Sequence, residues 1–399
     1  MVCFIKKKRF CVYLSGILLF LSLAGRVDAV IYEIGGMGAK SVGMVGSVVA
    51  TADNPIDALF FNPAAIGQLK GTNITAGTGI FSFPVEYKSP SGYKDTNDLI
   101  PVIPFFAYTT DRFSPIFWGL GVYSNFGIGF EFEKDPSHGL YADLKSLIGT
   151  LSLNPTVAYR VNPQLVFAIQ GNISYGKAEI DFPIATEALK TKSDGPGFGV
   201  TLGLLYKPIT LISIGLKWRS PLQFTLRGDA RLSNNKDDLR LYLYYPQAVS
   251  IGLGYMPTNN LTLELDYTWY DWSHFHHSRF SYDTWDFLDA PFSGGMKDCY
   301  RLGIGVEYCF KNNIVLRTGY LYNRAATHEE WLSPLGVDVT NHSFALGGGI
   351  ELGAFEIDAS LNYGYVPDKK ISPTESKSGF PGKYTGEFFY FATGITYQF

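Results

Sequence analysis

Trp118-Gly119-Leu120-Gly121-Val122-Tyr123-Ser124-Asn125-Phe126-Gly127-Ile128-Gly129-Phe130-Glu131-Phe132 is the stretch that decides the reading of the fold. Trp118, Leu120, Val122, Phe126, Ile128, Phe130 and Phe132 fall on one face of an extended chain, and Gly119, Gly121, Tyr123, Asn125, Gly127, Gly129 and Glu131 on the other. A period of two is the mark of a β-strand. The same dyad returns over 198–206, 212–219, 261–270, 301–310 and 355–365, each time with bulky apolar residues opposite small, polar or charged ones.

In a soluble sandwich the apolar face would be the core and the polar face would meet water. These segments run well beyond the ~5–6 residues usual for soluble strands and carry Tyr, Phe and Trp toward their ends, as transmembrane barrel strands do. A sheet spans lipid only when closed on itself, because hydrocarbon offers backbone groups no partner. The composition agrees: 30 Phe, 26 Tyr, 6 Trp and 43 Gly accompany only 17% charged residues, below the roughly 25% of soluble domains. The last residues, Gly394-Ile395-Thr396-Tyr397-Gln398-Phe399, alternate and end on Phe, a pattern similar to the signal read by the outer-membrane barrel assembly machinery.

Lys6 to Arg9, the apolar run Cys11 to Leu23 and the small residues of Val27-Asp28-Ala29 compose a secretory leader over residues 1–29, its apolar part shorter than the ~20 residues of a spanning helix. The leader holds five of the 33 basic and one of the 36 acidic residues, so the remainder is acidic by about seven charges, which argues against nucleic acid. Cys299 and Cys309 stand roughly 33 Å apart along one strand and cannot pair. They read as small lumen-facing side chains.

Fourteen strands are expected, near 72–87, 101–110, 116–132, 147–161, 164–182, 197–207, 211–232, 240–256, 260–273, 298–310, 313–324, 341–352, 354–366 and 385–399, making 72–399 an all-β transmembrane antiparallel barrel. Short turns at 162–163, 207–208, 257–260 and 311–313 are assigned to the periplasmic side. The longer 87–100, 133–146, 183–196, 274–297, 325–340 and 367–384 are assigned to extracellular loops. Residues 30–71 do not alternate and read as a plug, or hatch, in the lumen.

The Gly-rich start, Ala52-Asp53-Asn54-Pro55 and above all Phe61-Asn62-Pro63-Ala64 resemble the FadL/TodX outer-membrane transporters of long-chain fatty acids and aromatic hydrocarbons. So do Gly121 to Gly127, Asn154 to Arg160, Pro246 to Gly252, Asp271-Trp272-Ser273, Tyr300 to Gly303 and Leu316 to Tyr320, in order along the chain. The resemblance implies passive uptake of greasy ligands caught outside and released sideways into the outer-membrane lipid where the third strand bends. It also implies that Asn62, Pro63 and Ala64 of the hatch pack near Asn125, Phe126 and Gly127. Many relatives have Pro where this chain has Asn125, so the bend here falls to Gly127 and Gly129, since Gly within a strand marks a bulge or kink.

The inward cations Lys217, Arg219, Arg301 and Arg317 and the acids Glu264, Asp266, Glu307, Glu356 and Asp358 read mostly as a ladder joining strands and hatch. Arg301 and Arg317 are the candidates to meet a ligand carboxylate, since a guanidinium offers a bidentate fork. Phe60, Phe61, Phe105 and Phe106 are the candidate apolar lining. Gly35 to Ser41 lacks the Gly before Lys40 that a phosphate-binding loop needs, and His274, His276 and His277 read as a solvated loop rather than a metal site. No cofactor and no catalytic motif is implied, and a monomer is expected. The competing reading is a structural or adhesive surface barrel, against which the apolar stretch Trp285 to Phe292 speaks, since adhesive loops should be polar. Ligand identity stays open between fatty acid, alkane and monoaromatic.

Overall fold

The computed structural model describes residues 33–97, 99–184, 187–292 and 295–399; the leader expected over 1–29 lies outside them. Fourteen antiparallel strands form the wall. They are β1 (Thr72–Ser82), β2 (Val102–Phe113), β3 in two halves (Ile116–Tyr123 and Gly127–Phe132), β4 (Leu144–Asn162), β5 (Leu165–Ile184), β6 (Glu187–Ile209) and β7 (Ile212–Arg219 and Leu222–Leu232). The remainder are β8 (Asn235–Tyr245 and Ala248–Thr258), β9 (Leu261–Tyr270), β10 (Cys299–Cys309), β11 (Ile314–Asn323), β12 (Asn341–Leu352), β13 (Phe355–Ile371) and β14 (Gly382–Gln398). Pairing of β1 with β14, from Asn73 opposite Gln398 to Ser82 opposite Phe389, closes the barrel.

Side chains sort by the dyad. On β5, Phe167, Ile169, Ile173 and Tyr175 are exposed on the outer surface, whereas Gln170, Asn172 and Ser174 between them are buried. An apolar belt of this extent is stable only against lipid. The inner face is sealed by residues 33–71, nearly all buried.

Three local features depart from the alternating reading. The segment 183–196 is not a loop: β5 and β6 continue through it, with Glu179 opposite Lys192 and Asp181 opposite Lys190 on the outer face and Ala178, Ile180 and Leu189 buried on the inner one. Opposite charges across strands stabilise such a ribbon. The strands expected over 211–232 and 240–256 are each interrupted, at Ser220-Pro221 and Pro246-Gln247, because proline has no N–H for the ladder.

The third departure lies in the stretch quoted first. Tyr123 pairs with Ser152 and Gly127 with Gly149, so four steps along β3 face three along β4: a one-residue bulge over Ser124–Phe126. An odd insertion exchanges the faces of a strand. Below it Trp118 and Leu120 are exposed; above it Phe130 and Phe132, which share their parity, are fully buried. The bend thus sits at Ser124–Phe126, while Gly127 and Gly129 already belong to the regular upper half.

A closed fourteen-strand ladder resists detergent. The unboiled protein is expected to migrate ahead of the boiled form on SDS gels and to give a β-type circular dichroism spectrum; a helical spectrum would contradict the architecture.

Candidate functional site

The luminal segment contains α1 (Ala39–Gly43), α2 (Pro55–Phe61) and a short helical turn (Pro63–Gln68). Asn54 starts α2, its side chain accepting from Asp57 N at 2.9 Å with Pro55 in the first turn, the usual N-terminal arrangement. Asn62 separates α2 from the turn and is fully buried. Its Nδ2 donates to Val49 O (2.9 Å) and to Leu204 O of β6 (3.0 Å), and its Oδ1 accepts from Ala64 N (3.1 Å). A Cβ on Gly203 would come within 2.5 Å of Asn62 Oδ1 and 2.8 Å of Ala64 N, so glycine there permits backbone-close seating. Asn62, Pro63 and Ala64 therefore lie against β6, not against the bend in β3. The bend is met instead by the start of the described chain: Ile34 N donates to Asn125 O at 3.2 Å, and Glu33 and Phe126 form an antiparallel bridge.

Charged side chains carry most of the remaining attachment. Lys40 of α1 bonds Asp53 at 2.6 Å and Glu307 at 2.7 Å. Arg317 bonds Glu307 (2.6 Å), Glu356 (3.3 Å) and Asp358. With all three nitrogens engaged and only 1% of its side chain exposed, Arg317 is an anchor, contrary to its candidacy for a ligand carboxylate. Asp266 and Glu264 accept from the backbone of Val49 and Ala50, and Lys217 Nζ donates to Phe60 O at 2.7 Å. Burial works against the Glu33 carboxylate, but the bidentate Arg219 (2.8 and 3.0 Å) outweighs it and holds its pKa below the usual value. Burial pushes the Asp57 carboxyl up to about 6, against the hydrogen bond from Asn54 Nδ2.

Arg301 stands differently. Its Nε donates to Asn323 Oδ1 and its Nη2 to Glu33 O, both at 3.1 Å, and it borders a cavity of about 90 Å³ above the luminal segment. Ile34, Phe81, Phe83, Ile103, Val339 and Phe388 supply much of the apolar lining. Two polar atoms there, Ser343 Oγ and Asn362 Oδ1, are buried without a partner. Buried polar atoms are normally satisfied, so the cavity is apolar with an unsatisfied polar end. The sequence-based lining is only partly in place. Phe60 and Phe61 border a neighbouring, more polar space with Lys217 and Asp266, Phe105 packs inward over Gly77 and Gly394, and Phe106 lies on the opposite, outward face of β2.

The cavity abuts an incomplete wall. β2 and β3 pair only from Phe106 opposite Val122 downward. Above that level Val102 pairs with Ile80 of β1 and the upper half of β3 pairs with β4, but among the described residues no β2–β3 ladder joins them. Phe83, in the cavity lining, and Phe130, on upper β3, lie 5.8 Å apart edge to face at this gap. Neither Asn97, which spans it, nor Glu33 stands out in the sequence.

A family model described as outer membrane protein transport protein (OMPP1/FadL/TodX) matches residues 21–399. The chain is 25% identical over 360 residues to a long-chain fatty acid transport protein of Escherichia coli, covering 75% of this chain and 77% of that one. It is 23% identical over 330 residues to outer membrane protein P1 of Haemophilus influenzae, covering 70% and 68%. Its fold is similar to a Pseudomonas aeruginosa FadL homologue (TM-score 0.80, 16% identity, 92% of this chain and 100% of that one). It is also similar to the Pseudomonas putida toluene transporter TodX (TM-score 0.75, 15%, 92% and 99%).

Asn62→Asp places a carboxylate against the carbonyls of Val49 and Leu204 and should loosen the luminal segment by about 3 kcal/mol. Proteases should then cut within 33–71 while barrel yield and gel mobility stay unchanged. Asp57 adds a pH dependence. Its folded pKa of about 6 exceeds the ordinary 3.8, so its share of stability is whole below pH ~4 and falls by about 3 kcal/mol as pH rises through 6. Hydrogen exchange of α2 should speed up between pH 5 and 7 relative to Asp57→Asn, in which this difference should vanish.

Proposed function

The chain belongs to the OMPP1/FadL/TodX family of outer-membrane transport proteins, and from that premise we propose that it takes up hydrophobic solutes passively, by sideways release through the gap above Tyr123. The observation that carries the reading is the juxtaposition of an apolar cavity with a wall lacking ladder between β2 and upper β3. An apolar solute leaving the cavity down through the lumen would meet Glu264, Asp266, Glu307 and Arg317 and forfeit ~25 cal/mol per Å² of buried surface. Sideways it passes from Phe83 and Phe130 into lipid without crossing water. Partitioning supplies the drive, and no energy input is required.

The cavity's polar end favours an amphiphile over a pure hydrocarbon. Arg301 and the Ser343 hydroxyl, both able to donate, would receive a carboxylate, and the chain would lie toward Phe81, Phe388 and the gap. That relatives are named for long-chain fatty acids supports a carboxylate-bearing ligand. Residues 33–71 then act as the hatch that bars the axial route, and the protein works as a monomer placed in the membrane by the barrel assembly machinery.

Deleting Asn125 makes three steps of β3 face three of β4 and lets β3 pair upward with β2. Uptake of a labelled long-chain fatty acid by cells lacking other transporters should fall to background, with surface expression and ligand binding retained; undiminished uptake would exclude the sideways route. Arg301→Gln should weaken long-chain carboxylate binding by about 10- to 100-fold, the worth of a charged hydrogen bond at ~1.5–3 kcal/mol. Binding of an uncharged alkane or toluene should not change.

A further inference from the structure

Among the described residues, polar side chains of the segment before β2 cross the gap at two levels: Tyr93 OH donates to Glu133 O and Asp95 Oδ2 accepts from Glu133 N, both at 2.7 Å, at the far end of β3, and Asn97 crosses nearer the cavity. Asn97, in the segment before β2, is 1% exposed. Its Nδ2 donates to Phe83 O at 3.1 Å and to Gly129 O at 3.2 Å, its Oδ1 accepts from Glu131 N at 3.2 Å, and its own N–H donates to Val85 O at 3.0 Å. Gly129 O and Glu131 N flank Phe130 on the edge of β3, where a neighbouring strand would otherwise bond. The Asn97 carboxamide, which has one acceptor oxygen and two N–H donors, thus stands in for a peptide unit of the missing strand and ties the extension of β1 to upper β3.

From this geometry we infer that Asn97 is the bolt of the lateral exit: rotation of its carboxamide out of the gap opens the way from the cavity to the bilayer, and its return seals the wall. A backbone ladder could not serve, since opening it breaks a row of bonds at once. A carboxamide leaves by turning about two side-chain torsions and gives up three modest bonds, each worth ~0.5–1.5 kcal/mol. Phe83 and Phe130, in contact beneath it, form the apolar threshold that a solute would part. Asn97 is a positioning residue of the exit. It is placed to set the rate of release, while affinity is set at the Arg301 end of the cavity.

The inference rests on sideways release, and its test separates the two. Asn97→Cys with Glu131→Cys is locked by a short thiol-reactive crosslinker that dithiothreitol reverses, and native Cys309 is replaced by Ser. Flux of a fluorescent long-chain fatty acid is followed in proteoliposomes, and binding by native mass spectrometry. The locked protein should bind normally but transport at least about tenfold more slowly, recovering on reduction. Asn97→Asp, which turns a second oxygen toward the carbonyls of Phe83 and Gly129, should raise the rate at unchanged affinity. If the locked protein transports freely while the Asn125 deletion does not, the bolt is wrong and sideways release stands. If both transport freely, both readings fail. Gel mobility of the unboiled protein confirms a folded barrel in each case.

Discussion

Hydrocarbon gives a backbone N–H or C=O nothing to bond to, and every element of this wall answers that constraint. Closure of β1 on β14 abolishes the free edges. Where the ladder fails, above Tyr123, several freed groups on β3 find partners elsewhere. Thr150 Oγ1 bonds both N and O of Phe126, Ile34 N bonds Asn125 O, and Asn97 takes Gly129 O and Glu131 N. The opening is a hole in the ladder that side chains and the luminal segment bridge in part, which is the form a side exit through a membrane wall can take.

The period-two pattern made the fold class and the count of fourteen strands readable, because lipid on one face and a packed lumen on the other impose alternation strand after strand. The bulge escaped for the same reason. Val122 and Phe126 are an even number of residues apart, so the apolar row seems to run on, and only pairing with β4 reveals that Phe130 and Phe132 face inward. Charge misled at 183–196, where cross-strand Lys and acid pairs make a ribbon out of a stretch polar enough to pass for a loop.

The site was less legible. Arg301 and Arg317 are both inward arginines on adjacent strands, and what separates them is that Glu356 and Asp358 of β13 reach one and not the other. No local pattern reports a partner two strands away. Asn97 sits in the polar run Lys94-Asp95-Thr96-Asn97, and its importance comes from groups 14 and 32 residues distant. Buried charge networks of the Lys40–Glu307–Arg317–Asp358 kind add little net stability when whole but cost about 3–5 kcal/mol when one partner is lost. They fix where the luminal segment sits rather than how tightly.

That seat also sets a timetable. Residues 33–71 precede every strand of the wall in the chain, yet their partners lie on β3, β6, β9, β10 and, through Tyr390 OH bonded to Gly36 O at 3.0 Å, on β14. What is synthesised first therefore has no complete binding surface until the last strand has arrived. Contacts of such sequence separation form slowly. During assembly the segment must wait, uncommitted, while the wall is built around it, and its docking marks the end of biogenesis.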